Sequence, residues 1–465
     1  MATTLPFQFR SALLLAIPVG LFAFAGCVGS EGTGAGDEPT AERDHHVSPP
    51  VATFPSTFAR QWMTNFANSV KGDAINPALA ARMYGYAGIA LYESVVHGMP
   101  GHQSLAGQLN GLDSLPEPTP GLDYDWPTVL AQTMARVSAE VYVHPFPLFY
   151  EFTTPSKASL QALGPQQIGY RRVAGVPEAT IQNSIDYANR LADVYVAWAN
   201  ADGYHALRFK PWPLPTGPDK WVPTGFSDTD KVANPVEPWF GDVRPMALHD
   251  GTECAPPAPP PFSTTPGSPF YEQANTVYQT ETNLTDQQRE IAEFWADGPG
   301  ATATPAGHWV AITTQRVRSQ MLDNAVKEYA LVGAAVFDAF IAIWKTKYTY
   351  NLIRPETYIR RHIDATWKPF LPTPQFPEYV SGHSGESGAA ATVLDSIFGG
   401  TPFVDSTKGR RGFAPHSFAN YTAAAQEAAN SRLYAGIHYP QSNTEGLKLG
   451  VCVGNAVIDR LRPVP

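Results

Sequence analysis

Three short segments of this 465-residue chain carry side chains whose types and spacing suit the capture of a tetrahedral oxyanion. In the first, Lys347 and Arg354 are separated by residues 348 to 353, and Pro355 restricts the backbone directly after the arginine. In the second, Phe376-Pro377-Glu378-Tyr379-Val380 leads into Ser381-Gly382-His383, with an alanine-rich, helical-looking stretch behind it. In the third, Ser431-Arg432 is followed by Gly436 and His438.

The chemistry follows from the groups. Guanidinium forks match the paired oxygens of an anion of charge −2 to −3, and an ammonium adds a point charge. Small residues at a helix start leave backbone N–H groups bare beside them, and a helix N-terminus favours negative charge. The chain as a whole is acidic, with a formal net charge of −10, so nucleic acid is not an expected partner and a gathered basic cluster is local and purposeful. Singly, each signal has a plain reading: an Arg-Pro ends many solvated helices, and a histidine beside glycine is commonly an ordinary loop residue. The ordered combination of all three is what chance does not readily produce.

The elements that must position these residues read as helices. Periodic apolar residues mark helices over Thr57–Val70 and Pro77–Val96, the second with Asn76 as cap and Pro77 in its first turn. Further helices are expected at about 127–143 and 177–200, then at 285–296, where Thr285 and Gln288 form a capping box. The strongest pattern runs from Val317 to Lys345, ending at the first basic cluster, and the last helices fall at about 386–398, 417–435 and 443–462. No convincing run of alternating strands is present. Between about 205 and 272, repeated prolines replace helix with extended structure, expected to strap across the helices and supply a wall of the site. The expected fold is therefore an all-α helical bundle with a long Pro-rich loop region, one domain over 52–465 with its active-site half at 285–465.

The N-terminus reads as an export signal over residues 1–26, an apolar run from Ala12 to Phe24 ending in small residues. Phe24-Ala25-Gly26-Cys27 resembles a bacterial lipobox, with Phe24 in place of the usual leucine, so Cys27 is expected to carry a lipid anchor in the cell envelope. Residues 27–51 then form a flexible tether. Outside the cytoplasm Cys254 and Cys452 are free to pair, but sequence does not place them together.

The order Lys347…Arg354-Pro355, Ser381-Gly382-His383, Ser431-Arg432…Gly436…His438 resembles the shared signature of vanadium-dependent haloperoxidases and type 2 phosphatidic acid and acid phosphatases. Phe294-Trp295-Ala296-Asp297-Gly298, Gly307-His308-Trp309 and Trp239-Phe240-Gly241-Asp242-Val243-Arg244-Pro245 are similar to bacterial haloperoxidases, and the length favours that branch. The resemblance implies a vanadate cofactor bound axially by neutral His438 and held by Lys347, Arg354, Arg432, the Ser381 hydroxyl and the Gly382 N–H. It implies His383 as acid–base for hydrogen peroxide and Lys347 as the group that polarises it, so that halide is oxidised to hypohalous acid. Asp297 would orient Arg432 from behind. Phe376 and Trp344 are similar to the chloroperoxidases, where bromoperoxidases carry histidine in place of the phenylalanine; plain core packing explains both equally simply.

Two positions depart from the pattern. Val380 replaces a proline before Ser381, and Ser442 stands where the family usually has the aspartate that fixes the histidine, with Glu445 out of register. A missing outer-shell carboxylate costs about 10–100-fold in affinity or activity. The alternatives are a phosphatase that uses the same pocket on a phosphate ester, with His438 as nucleophile, and a lipid-anchored protein that binds oxyanions without turnover. A serine hydrolase is disfavoured because Gly382-His383-Ser384-Gly385-Glu386 misses the last glycine of the nucleophile elbow. Halide preference, organic substrate and oligomeric state are not legible.

Overall fold

Local signals start most helices. In the computed structural model, which describes residues 48–142, 155–224 and 235–464, the Asn76 side chain accepts from the Leu79 N–H and Pro77 opens the next helix. Thr285 and Gln288 close the expected capping box. The helices are α1 (Thr57–Gly72), α2 (Pro77–Glu93), α3 (Trp126–Val141), α4 (Pro155–Val173), α5 (Glu178–Asn200), α6 (Tyr204–Leu207) and α7 (Pro269–Thr282). They continue with α8 (Asp286–Phe294), α9 (Thr304–Arg316), α10 (Leu322–Tyr350), α11 (Pro355–His362), α12 (Gly382–Phe398), α13 (Tyr421–Tyr434) and α14 (Pro440–Arg460). The fold is all-α and bundle-like, as the sequence led us to expect.

Two helices are apolar on nearly every face and form the centre. All of α2 from Ala78 to Glu93 is buried, and α10 is buried without interruption from Glu328 to Trp344, the pattern of helices enclosed by others. They approach backbone to backbone at Gly88, where a Cβ would lie 2.2 Å from the Tyr329 carbonyl oxygen. α12 and α14 meet in the same way: a Cβ on Gly450 would lie 2.0 Å from the Gly385 oxygen.

The structure departs from the expected elements in definable places. α4, α6, α7, α9 and α11 are additional; α4 contains Pro165 within it, which masks its periodicity, and α11 is a short helix whose mean hydropathy is polar. α10 begins at Leu322 because 317–319 form a 3-10 turn and Gln320 is extended. α12 begins at Gly382, four residues before the expected start, because Ser381 caps it. A small hairpin, β1 (Phe403–Asp405) and β2 (His416–Phe418), pairs antiparallel with Asp405 opposite His416; three-residue strands leave too little alternation to read.

The Pro-rich stretch does strap across the helices. The Val236 carbonyl accepts from Trp344 Nε1 at 3.1 Å and from the Tyr348 hydroxyl at 2.7 Å, and the Val236 N–H donates to Gln375 at 3.2 Å. Further on, the Tyr379 and Tyr358 hydroxyls donate to the carbonyls of Pro257 and Ser263, each at 2.6 Å. Cys254 and Cys452 form a disulfide that ties this stretch to α14. The N-terminal signal and Cys27 lie outside the described residues, as does the tether up to residue 47. Residues 51–53 form a 3-10 turn with Val51 buried. Among the described residues no helix is long and apolar enough to cross a membrane.

Candidate active site

Five helix ends deliver the three sequence segments to one place. Lys347 lies in the last turn of α10, which stops at Asn351 in the left-handed conformation (φ 48°). The chain turns back, and Arg354 becomes the residue that precedes Pro355 at the start of α11. Ser381 is the N-cap of α12, its hydroxyl oxygen accepting from the Ser384 N–H and hydroxyl, the latter at 2.8 Å. With those two bonds accepted, the Ser381 proton is left for another acceptor. Arg432 lies in the last turn of α13, Gly436 (φ 76°) reverses the chain, and His438 follows just before α14.

The three segments meet through direct contacts. Arg354 Nη1 lies 3.2 Å from His438 Nε2, and Arg432 Nη1 lies 3.2 Å from His383 Nε2. Lys347 Nζ and the Arg354 guanidinium each stand 5.1 Å from the centre of the Phe376 ring, which also packs on Trp344 at 5.0 Å. Phe376 is thus a platform under two cations as well as a core contact.

Each guanidinium is partly committed and partly free. Arg354 donates from Nε to the Phe376 carbonyl and from Nη1 to the Ile437 carbonyl, both at 2.9 Å. Arg432 donates from Nη1 to the Trp295 carbonyl at 3.5 Å. Arg354 Nη2 and Arg432 Nε and Nη2 are buried with no hydrogen-bond partner. Buried charged donors without acceptors are costly, and an anion between the two arginines would satisfy them. The first N–H groups of α12 have no intrahelical partner, and a Cβ on Gly382 would meet nothing within 4 Å, so open space lies over this helix end. The donor set therefore fits vanadate, and fits phosphate equally.

Lys347 is arranged differently. Its Nζ donates to the carbonyls of Pro377, Glu378 and Val380 at 3.0, 2.9 and 2.5 Å. Burial lowers its pKa well below the ordinary lysine value, Arg354 lowers it further and Glu378 opposes both. Three acceptors around one nitrogen nevertheless match only the protonated ammonium. All three of its protons hold the strap 377–380 that leads into the cradle.

The two histidines are poised neutral. Burial holds His438 well below the usual histidine range, with Arg354, Lys347 and Arg432 adding to it. Burial also depresses His383, chiefly reinforced by Arg432 and opposed by Asp297. Burial brings both arginines down to about 10, so they remain cations at neutral pH. Gly382 and His383 are only half-buried, whereas Lys347, Arg354, Ser381, Arg432 and His438 are buried, so the pocket is reached from the α12 side.

Sequence reasoning named Glu378 without giving it a role, yet its Oε1 lies 2.8 Å from His438 Nδ1 and accepts from the Tyr439 N–H at 3.0 Å. The signal was present: Glu378 is the one acidic side chain in the otherwise uncharged stretch 376–382. Ser442 is buried within reach of the same carboxyl, and Glu445 pairs with Lys448 instead. Asp297 makes no hydrogen bond to Arg432 among the described residues. It accepts from Lys408 and lies 2.9 Å from His308 Nδ1, whose Nε2 is 2.8 Å from Asp405. Burial opposes ionisation of Asp297, but Lys408 and His308 hold its carboxyl far below the usual range. Its influence on Arg432 is through-space charge. This buried network fastens the β1–β2 region behind the pocket.

An all-α bundle built around a basic oxyanion pocket with a histidine at its floor is the class that fold and site define. Residues 327–464 match the family model for the second helical-bundle domain of the vanadium chloroperoxidases (VCPO). No curated protein matches the chain in sequence. A solved bacterial vanadium-dependent iodoperoxidase is 31% identical, with a TM-score of 0.79, over 88% of this chain and 97% of that one. Two solved forms of bacterial vanadium-dependent chloroperoxidase share the fold. The apo form is 13% identical at TM-score 0.59 over 83% of this chain and 93% of that one; the holo form is 16% identical at 0.57 over 91% and 96%. The chain belongs to the vanadium-dependent haloperoxidase family.

Proposed function

We propose that this protein is a vanadate-dependent haloperoxidase that oxidises halide with hydrogen peroxide to hypohalous acid. The observation that carries the reading is the pair of buried guanidiniums with unpartnered N–H groups flanking a neutral His438. Arg354 Nη2, Arg432 Nε and Nη2, the Ser381 hydroxyl and the Gly382 N–H would hold the vanadate oxygens, and His438 Nε2 would ligate the metal. Bound vanadate would supply Lewis acidity without a change of oxidation state. His383, unprotonated at rest and only partly buried, would take the proton that peroxide gives up and return it when water leaves. The overall balance is one peroxide, one halide and one proton to hypohalous acid and water. Lys347 shapes the strap and adds positive charge to the pocket wall.

The decisive assay follows orthovanadate-loaded protein for peroxide-dependent oxidation of iodide, bromide and chloride, beside hydrolysis of p-nitrophenyl phosphate. Halide oxidation is expected. Hydrolysis without halide oxidation would favour the phosphatase reading, and vanadate binding with neither activity the non-catalytic one. His438→Ala is expected to abolish vanadate binding, and His383→Ala to keep binding while losing turnover; parent-like activity in either variant refutes these roles. We further propose that the protein is exported and lipid-anchored at Cys27. The Cys254–Cys452 disulfide supports an oxidising compartment. Palmitate labelling of the parent and not of Cys27→Ser is the expected result.

A further inference from the structure

We infer that Glu378 is the positioning residue that fixes the His438 ring for the oxyanion, working from the strap before the cradle. The inference rests on the proposed function only for the identity of that oxyanion.

The geometry is specific. One carboxyl oxygen, Glu378 Oε1, bridges the His438 ring nitrogen Nδ1 (2.8 Å) and the backbone N–H of the next residue, Tyr439 (3.0 Å). The ring is therefore held relative to its own main chain, in both tilt and rotation. The backbone that carries this side chain is itself anchored. The Glu378 N–H donates to the Leu352 carbonyl at 3.1 Å, and Lys347 grips the carbonyls of Pro377, Glu378 and Val380. Glu378 is fully buried, so water does not compete for the ring.

On the opposite edge, Arg354 Nη1 stands 3.2 Å from Nε2. A guanidinium has only donors, so the Nε2 it faces must carry a lone pair. An acceptor on one side and a donor on the other select one neutral tautomer, with the proton on Nδ1 and the lone pair of Nε2 turned into the pocket. Position 442, in the first turn of α14, offers only a hydroxyl, within reach of the same Glu378 carboxyl. The carboxylate that the sequence lacks at that position is supplied from 64 residues upstream, by a side chain that shares its backbone segment with the cradle.

Full-length protein labelled with 15N-histidine provides the test, with the His438 signals assigned by their loss in His438→Gln. The parent should show His438 as the Nδ1–H tautomer across about pH 6 to 8, where an unconstrained imidazole titrates, before any oxyanion is added. The Nε2–H tautomer there overturns the inference. Glu378→Gln keeps the shape but presents an amide whose two ends compete for the ring, and should mix the tautomers. Calorimetry with inorganic vanadate should show its affinity down about 10–100-fold. A parent-like tautomer and affinity in that variant overturn the inference; should the variant fail to fold, the parent spectrum decides alone. A parent that binds no vanadate yet shows the Nδ1–H tautomer overturns the proposed function and leaves the assignment of Glu378 standing.

Discussion

At the scale of single residues, the pocket combines donors already committed to protein acceptors with donors left free. Ser381 does both, since its oxygen caps α12 and that bond leaves its own proton uncommitted. Ser381→Ala is expected to lower vanadate affinity by about 10-fold or more, the worth of a hydrogen bond to a charged group. The same change should cost about 1 kcal/mol of stability through the lost cap. Calorimetry and thermal melts separate the two, and unchanged affinity would remove Ser381 from the anion's ligands. Arg354→Lys keeps a charge but loses the fork that reaches Phe376, Ile437 and the pocket together. It should weaken vanadate binding and loosen the strap; parent-like affinity would show that charge alone suffices.

Among elements, the approach of α12 to α14 sets the distance between the cradle at Gly382 and His438, because each lies at the N-terminal end of one of them. Gly450→Ala would drive a methyl into the Gly385 carbonyl, and overpacking of this kind costs about 1–3 kcal/mol. A parent-like melting temperature would mean the helices yield without cost. The β1–β2 hairpin is fastened by His416, which lies 2.7 Å from Glu427 and 2.9 Å from Glu290 and stacks on Phe294 at 3.7 Å. Burial lowers the pKa of this imidazole, but the hydrogen bonds and charge of Glu427 and Glu290 outweigh it and raise it from 6.5 to about 9. Because the folded-state value is the higher, the stabilisation is fully present below about 6.5 and is lost as pH rises through about 9. Melting temperature should fall over that window in the parent and less steeply in His416→Asn; parallel profiles would refute the clamp. Glu427 also accepts from Trp295 Nε1, and the Trp295 carbonyl faces Arg432, so the clamp borders the site.

Across the whole molecule, the Cys254–Cys452 disulfide joins positions 198 residues apart and ties the Pro-rich strap to the last helix. Closing so long a loop stabilises by about 2–5 kcal/mol, so Cys452→Ser or reduction should lower the melting temperature; an unchanged melt would show that the strap is held by its other contacts. Sequence alone determined the helical class, because amphipathic spacing, Asn76-Pro77 and Thr285…Gln288 are local signals that survive without tertiary context. It also determined which cations and histidines to gather, because their order along the chain is itself distinctive. It missed α4 and α11, where proline and polar composition hide the helical period, as well as α6, α7 and α9, and a hairpin too short to show alternation. What only the tertiary structure decided is who serves whom. Lys347 spends its protons on the strap, Asp297 answers to His308 and Lys408, and Glu378 stands where the absent carboxylate at Ser442 was missed. Hydrogen-bond partners are chosen by proximity in space and by burial that excludes water, and neither is written in the spacing of residues along the chain.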